Sequence, residues 1–359
     1  MNPRYNGAVE EAVLPLPLST KGSPLTALIK SKAFRILAAY VGIAACLAWV
    51  FHDMDWKMLV RSVASINWMW AGLGVFLNIL STLSMGYRWH LLLKPLGDIR
   101  PLRTTQAIYA GFFINDILPM RMGEVSRALL VSHWMSNECL SIVPSMALER
   151  LFEGVWLAIG MGVTAILVPL PRNLDRAADI FGMIILGLVG LTLFLTVRKK
   201  KTGANEGSSA ARRLKPLRWV GFALNRLREG FGSIGLSRKF FQAFFISMGL
   251  IGFQAVGFWC ITKAYGLQFP FWIGAAVFFI VVFGTALPNA PANIGTHQFF
   301  CVVGLTLFGV GKASAAGFSI IAFVLLTLPS FVIGYAALAK SGIKLAEIRQ
   351  MIRRASKSF

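Results

Sequence analysis

Residues 111–127 read Gly-Phe-Phe-Ile-Asn-Asp-Ile-Leu-Pro-Met-Arg-Met-Gly-Glu-Val-Ser-Arg, and the fold turns on how this stretch is read. It opens as an apolar helix. Pro119 then removes a backbone donor and disfavours helical geometry at Leu118. Gly123 accepts backbone angles that other residues avoid. Asp116, Arg121, Glu124 and Arg127 lie in or beside the interruption. A charge at the bilayer centre costs at least about 2.5–3.5 kcal/mol. Interrupted backbone is tolerated at that depth only inside protein or along a cavity. Four ionisable residues at a broken helix therefore mark a candidate site; the competing reading is an ordinary cytoplasmic loop after a helix.

The surrounding chain decides which medium this helix sits in. Of 359 residues, 56% are hydrophobic and only 14% charged, with a mean hydropathy of +0.65. Soluble domains carry about 25% charged residues, and several apolar runs here reach the roughly 20 residues that cross a bilayer. The chain reads as an all-α, polytopic membrane protein, which excludes a soluble globular domain. Its net charge of +21 flanks the apolar runs, so it reports topology and attraction to anionic lipid surfaces rather than nucleic-acid binding. Cys46, Cys139, Cys260 and Cys301 are isolated, and His52, His90, His133 and His297 show no ligand spacing. Neither a metal nor any other cofactor is expected.

In chain order, residues 1–32 form a polar cytoplasmic tail. The first membrane half, 33–197, begins with an apolar run over 34–51, followed by a loop holding Asp53, Asp55, Lys57 and Arg61. Trp68 and Trp70 anchor a second span over 67–93 at the interface. Near its end, Arg88 either snorkels to the interface or faces the interior. The interrupted segment covers 105–140. A further span starts near Pro144, with Glu149 and Glu153 on one helix face and Arg150 off it; another covers 177–197. Residues 198–239 hold twelve Lys/Arg against Glu206 and Glu229, which places that loop in the cytoplasm. A surface helix over 219–231 fits this basic segment. The second half, 240–339, contains a span over 240–264, an interrupted segment over 271–311 and a last span over 313–339. The basic tail 340–359 is again cytoplasmic.

Cytoplasmic termini and a cytoplasmic central loop require an even number of full crossings in each half. Residues 105–140 then dip in from the cytoplasmic face and 271–311 from the opposite face, leaving about six full spans. Pro119 in Ile-Leu-Pro and Pro288 in Ala-Leu-Pro occupy corresponding breaks. Paired, Gly/Pro-interrupted segments in two inverted halves are the sequence pointer to a transport site near the midplane.

The ordered set Gly111, Asn115, Leu118-Pro119, Arg121, Gly123-Glu124, Arg127, Glu149-Arg150, Pro288, Pro291 and Gly295 resembles the flippase-like membrane region of lysylphosphatidylglycerol synthases. Stand-alone members, including hopanoid-biosynthesis-associated membrane proteins, are similar in length. The resemblance covers about residues 35–340. It implies a bacterial inner-membrane protein that moves or binds a lipid. The appended soluble domain that makes the aminoacylated lipid is absent from this sequence, so aminoacyl transfer is not implied. Where the family commonly has an acid three residues after the glycine of the second break, this chain has Gln298, beside His297.

The function expected is movement of a polar-headed lipid, an anionic phospholipid or a related membrane lipid, between leaflets. Arg121, Arg127 and Arg150 would contact a phosphate through their planar guanidinium groups. Asp116, Glu124 and Glu149 would neutralise them when the site is empty. Asn289, Asn293 and His297 would line the opposing break. No G-x-x-x-x-G-K-[ST] element occurs, so no nucleotide-driven pump is expected in this chain. The partner is a membrane lipid; homo-oligomerisation is left open. Two other classes compete: an integral-membrane enzyme acting on a lipid head group, and a non-transporting scaffold for lipid-synthesis enzymes.

The orientation is directly testable. A cysteine replacing Ser208 in the basic loop should resist membrane-impermeant thiol reagents added outside intact cells. Efficient labelling would reverse the orientation and remove the basis for inverted halves.

Overall fold

The computed structural model describes residues 44–52, 56–118, 122–137, 139–167, 237–286 and 291–342, with isolated positions 41, 183 and 187. Nearly all of these belong to the larger of two contact units, Ile43–Phe359, and the description concerns that unit. Regular structure among the described residues is helical throughout. We number the α-helices α1 (Trp56–Ala64), α2 (Trp68–Leu93), α3 (Pro101–Ile117), α4 (Met122–Met135), α5 (Cys139–Leu167), α6 (Arg238–Ala264), α7 (Phe271–Thr285), α8 (Thr296–Leu307) and α9 (Lys312–Ala339). Short 3-10 turns lie at Lys94–Leu96 and Pro291–Asn293.

Trp68–Leu96, Arg238–Ala264 and Lys312–Ala339 are each long and apolar enough to cross a bilayer, and the protein is a multi-pass membrane protein. The N-terminus of α2 is sharp because Asn67 caps it, its side chain accepting from the Met69 and Trp70 N–H groups. Ser237 does the same for α6 through Phe240 N–H. Two local expectations are corrected. Residues 56–64 are helical rather than loop, because Leu59 packs against the buried cluster of Ile66, Ala71, Ala264 and Ile321. The helix expected to start near Pro144 starts at Cys139 and carries the proline inside it. Apart from positions 183 and 187, the run 177–197, the segment 198–236 and the tail beyond 342 lie outside the described residues.

α2 and α6 form the central pair and run antiparallel. Asn67 N–H donates to the Ala264 carbonyl at 3.0 Å at one end, and Arg88 Nη1 donates to Ser247 Oγ at 3.0 Å toward the other. Between them Gly74 faces Gly257. A Cβ on Gly74 would lie 2.8 Å from the Gly257 carbonyl oxygen, and one on Gly257 3.0 Å from that of Gly74. Small residues let membrane helices meet backbone to backbone, where dispersion replaces the missing hydrophobic drive. α3 packs along α9: Gln106 Nε2 donates to the Ala337 carbonyl at 2.9 Å, and Phe113 meets Phe331 and Tyr335.

The interruption at Pro119 has the form its sequence dictates. Leu118 is extended, at φ −107° and ψ 138°, and ends α3 directly before the proline. Helix resumes at Met122, and α4 folds back onto α3. Gly123, however, is helical, so left-handed freedom is not what it supplies. Its value is space: a Cβ there would collide with the Gly111 carbonyl oxygen and the Asn115 side chain. Its N–H donates to Asn115 Oδ1 at 2.7 Å, which satisfies one free donor at the start of α4. The second break does use left-handed backbone. Ala292, Asn293 and Gly295 have φ of 54°, 57° and 85°, before Gly295 N–H donates to Gln298 Oε1 at 2.7 Å and α8 begins. The turn Pro291–Asn293 packs against α3.

The glycine contact predicts a contrast. Gly74→Leu should lower stability in detergent by about 1–3 kcal/mol, the usual cost of overpacking. Gly72→Leu, where an added Cβ meets nothing within 4 Å, should leave the melting temperature unchanged. Equal melting temperatures for the two variants would remove the glycine contact as the reason for the α2–α6 approach.

Candidate functional site

Three helices bring charge to one place. α2 supplies Arg88, α4 supplies Glu124 and Arg127, and α5 supplies Glu149, Arg150 and Glu153. Helical spacing prepares this locally: Glu149 and Glu153 are four apart, and Glu124 and Arg127 three apart, so each pair shares a face. Packing of the three helices then closes the six groups into a ring. Arg88 Nη2 lies 3.1 Å from Glu149 Oε1, and Glu149 Oε2 lies 3.0 Å from Arg127 Nη2. Arg127 is 2.9 Å from Glu124 Oε2, and Glu124 Oε1 is bound by Arg150. Arg150 Nη1 is 2.7 Å from Glu153 Oε2, and Glu153 Oε1 returns to Arg88 Nη2 at 2.7 Å. Three cations and three anions alternate, and the ring has no net charge.

Burial is graded around it. The side chains of Arg88 and Glu149 are 1% exposed and that of Arg127 7%; Glu153 and Glu124 are 20% and 25% exposed, and Arg150 51%. One edge is therefore sealed and one open. The sealed edge is held by uncharged neighbours. Arg88 Nη1 is bonded to Ser247 Oγ on α6, and Ser247 Oγ donates to the Ala243 carbonyl. The Arg127 guanidinium lies 4.8 Å from the centre of the Trp89 ring, a cation–π contact. Trp89 Nε1 donates to Ser145 Oγ at 3.0 Å, which fixes the ring plane that Arg127 rests on. Arg88 Nε, Arg127 Nε and Glu149 Oε2 lack hydrogen-bond partners, the last being an ion-pair contact only, so the sealed edge is paired in charge but not saturated in hydrogen bonds.

Four of the residues singled out in the sequence, Glu124, Arg127, Glu149 and Arg150, meet in this ring. Arg150 was placed off the face of Glu149 and Glu153, yet its long side chain bridges Glu124 and Glu153. Asp116, in the last turn of α3, is half-buried and forms no ion pair among the described residues. Arg121 and Asn289 lie outside the described residues. Asn293 belongs to the left-handed turn against α3. His297, in the first turn of α8, sits 5.6 Å from the Phe323 ring and 3.8 Å from Cys301 Sγ, away from the charged ring. Gln298, at the position where an acid is usual, accepts the Gly295 N–H; a carboxylate would serve that bond equally, so the departure conserves the local geometry. Among the described residues no group of three His, Cys, Asp or Glu side chains is placed to hold a metal.

Two ring members were not on the sequence-derived list. Arg88 carried a usable signal: it stands alone in an apolar run, and an ionisable residue within a membrane span marks function by default. Glu153 carried a weaker one, four residues after Glu149. Chemically, the open edge offers a guanidinium that exchanges partners with solvent or a ligand, backed by carboxylates that hold it when none is bound. Guanidinium pairs with phosphate or carboxylate oxygens through two parallel donors.

Removing one charge from the sealed edge should be costly. Arg88→Met leaves an excess anion and should destabilise by about 3–5 kcal/mol, as for other broken buried pairs. Arg88→Met with Glu149→Met restores neutrality and should recover most of the loss, read as folded yield and melting temperature in detergent. Glu124→Ala, at the open edge, should cost less than Arg88→Met. A double variant no more stable than the single would show that charge balance is not what holds these helices.

A search among curated proteins gives no match. The family described as the lysylphosphatidylglycerol synthase TM region matches residues 35–334, which takes in both breaks and all six ring residues. That family places the protein among membrane proteins of lipid modification or transport. The chain belongs to the family of lysylphosphatidylglycerol synthase transmembrane regions.

Proposed function

We propose that this protein moves a polar-headed membrane lipid between leaflets, without modifying it. The observation that carries the reading is the charged ring: six ionisable groups packed among membrane helices, neutral as a set and open along one edge. A structural ion-pair cluster has no need of an open edge. A head-group path does, because a phosphate must reach a guanidinium without being stripped of all compensation. In this reading the phosphate replaces Glu124 or Glu153 on Arg150. The displaced carboxylate stays paired with Arg127 or Arg88. Asp116, Arg121, Asn289, Asn293 and His297 continue the polar path toward the second break, and the lipid tail stays in hydrocarbon.

The packing pattern supports two inverted halves, 33–197 and 240–339, joined by the basic loop 198–239. α3 packs on α9, and its counterpart α7 packs on α5. α2 with α3 is matched by α6 with α7, α3 with α4 by α7 with α8, and α4 with α5 by α8 with α9. α2 and α6 pair antiparallel with each other. Such exchange of partners is what a two-fold axis in the membrane plane produces. The 17 and 14 residues of α3 and α4, and the 15 and 12 of α7 and α8, give lengths of about 18–26 Å. Each falls short of the roughly 30 Å hydrocarbon core, as half-crossing segments entering from opposite faces require. Positive-inside logic puts both termini in the cytoplasm and, with the family, the protein in the bacterial inner membrane. The excess of basic residues favours an anionic cytoplasmic surface.

The test is reconstitution. In liposomes, the purified protein should transfer a fluorescent phosphatidylglycerol between leaflets with no change in its mass. Arg150→Ala should slow transfer by at least about tenfold, the value of one charge-assisted hydrogen bond. Arg150→Lys, which keeps charge but loses the planar fork, should fall between the two. A changed lipid mass would indicate a head-group enzyme instead, and normal transfer by Arg150→Ala would detach the ring from transport.

A further inference from the structure

Beyond the ring, α5 continues the same face with a different chemistry. Glu149, Glu153, Trp156, Gly160 and Thr164 recur at i, i+4, i+7, i+11 and i+15, one stripe of a helix. After Glu153 the stripe turns apolar and becomes one wall of a groove of about 340 Å³ between α5, α6 and α7. That volume is within the range of small-ligand sites. The polar atoms of the α5 wall are already satisfied: Trp156 Nε1 donates to the Phe244 carbonyl at 3.1 Å and Thr164 Oγ1 to the Gly160 carbonyl at 2.8 Å. Nothing in that wall asks for water or a polar ligand. Ile159, Val163 and Met248 on its rim are half-exposed, and α6 is a membrane-crossing helix, so the medium outside the rim is hydrocarbon.

The groove begins about 4.5 Å along the helix axis from Glu153 and extends to about 16 Å, at the rise of an α-helix. Its Trp156 end lies about one helical turn from Glu153, which Arg150 binds at the open edge of the ring. An apolar groove that begins about one helical turn from a carboxylate holding a half-exposed guanidinium matches one molecule with an anionic group at one end and a hydrocarbon chain at the other. We infer that the groove between α5, α6 and α7 seats one hydrocarbon chain of the lipid whose phosphate binds Arg150. This rests on the proposed lipid translocation and specifies how the substrate is held: by a chain in a fixed groove, not by its head alone with the tails loose in the bilayer.

Gly252 on α6 lines the groove, and a Cβ added there would meet nothing within 4 Å. Gly252→Phe therefore directs a ring from an open backbone position into the groove. Gly162→Phe is the control, since that glycine is open and off the groove. Two readouts separate the ideas. The first is transfer of fluorescent phosphatidylglycerol in liposomes, which Gly252→Phe should slow about tenfold and Gly162→Phe should leave at the wild-type rate. The second is quenching of tryptophan fluorescence in detergent by limiting phosphatidylglycerol brominated in its chains. The part of that quenching lost in a Trp156→Phe, Trp272→Phe variant reports the groove, because both rings line it. It should vanish in Gly252→Phe and in Arg150→Ala. Quenching that survives Arg150→Ala would come from lipid at the protein surface and would overturn the inference. So would wild-type transfer by Gly252→Phe. Absence of transfer by the wild-type protein, with groove quenching intact, would instead reject translocation and leave the lipid seat standing.

Discussion

Charge neutrality around a closed loop is the constraint on which the rest depends. Moving Arg88 and Glu149 out of water is expensive, and mutual attraction repays it only when geometry and number match. Here they match because each guanidinium touches two carboxylates and each carboxylate two guanidinium groups. Removing one member strands its neighbours. The arrangement therefore locks α2, α4 and α5 at one level, and through Ser247 it reaches α6. Hydrophobic association does little of this work in a bilayer, since lipid tails are as apolar as leucine.

The same constraint explains why the protein has a sealed edge and an open one. A ring buried throughout would be a structural clamp with no access. A ring exposed throughout would contribute little, as surface ion pairs do. The gradient from Arg88 to Arg150 gives a rigid base and an exchangeable edge. Aligning Pro119 with Pro288 sets Arg88 against Gly257, Glu149 against Phe318 and Glu153 against Ala322. These counterparts are uncharged, so the register that aligns the two breaks does not repeat the ring. Gly257, at the position of Arg88, is where α6 meets α2 backbone to backbone.

The two breaks likewise reach similar ends by different means. At the first, proline stops α3, and two glycine-mediated contacts let α4 lie against it. At the second, left-handed residues turn the chain and Gln298 satisfies the amide of Gly295. Left-handed backbone at Ala292 costs about 1–2 kcal/mol relative to the right-handed form. The surrounding packing of the turn on α3 holds it there.

Read alone, the sequence determined what depends on neighbours along the chain. Length and composition of apolar runs gave a helical multi-pass membrane protein. Pro119 ended a helix at Leu118, and the Glu124–Arg127 spacing placed two charges on one face. Only the tertiary structure decided what depends on which helices meet. Arg88 could snorkel or turn inward, and its choice was made by carboxylates some sixty residues away on α5. Gly123 looked like a backbone hinge and proved to be a gap for Gly111, a distinction that no local pattern carries. Arg150 looked off-axis until α4 brought Glu124 to it. The physical reason is common to these cases: helix periodicity and backbone sterics are local and survive in the sequence, whereas charge pairing and close backbone approach are properties of the contact and exist only once two helices are side by side.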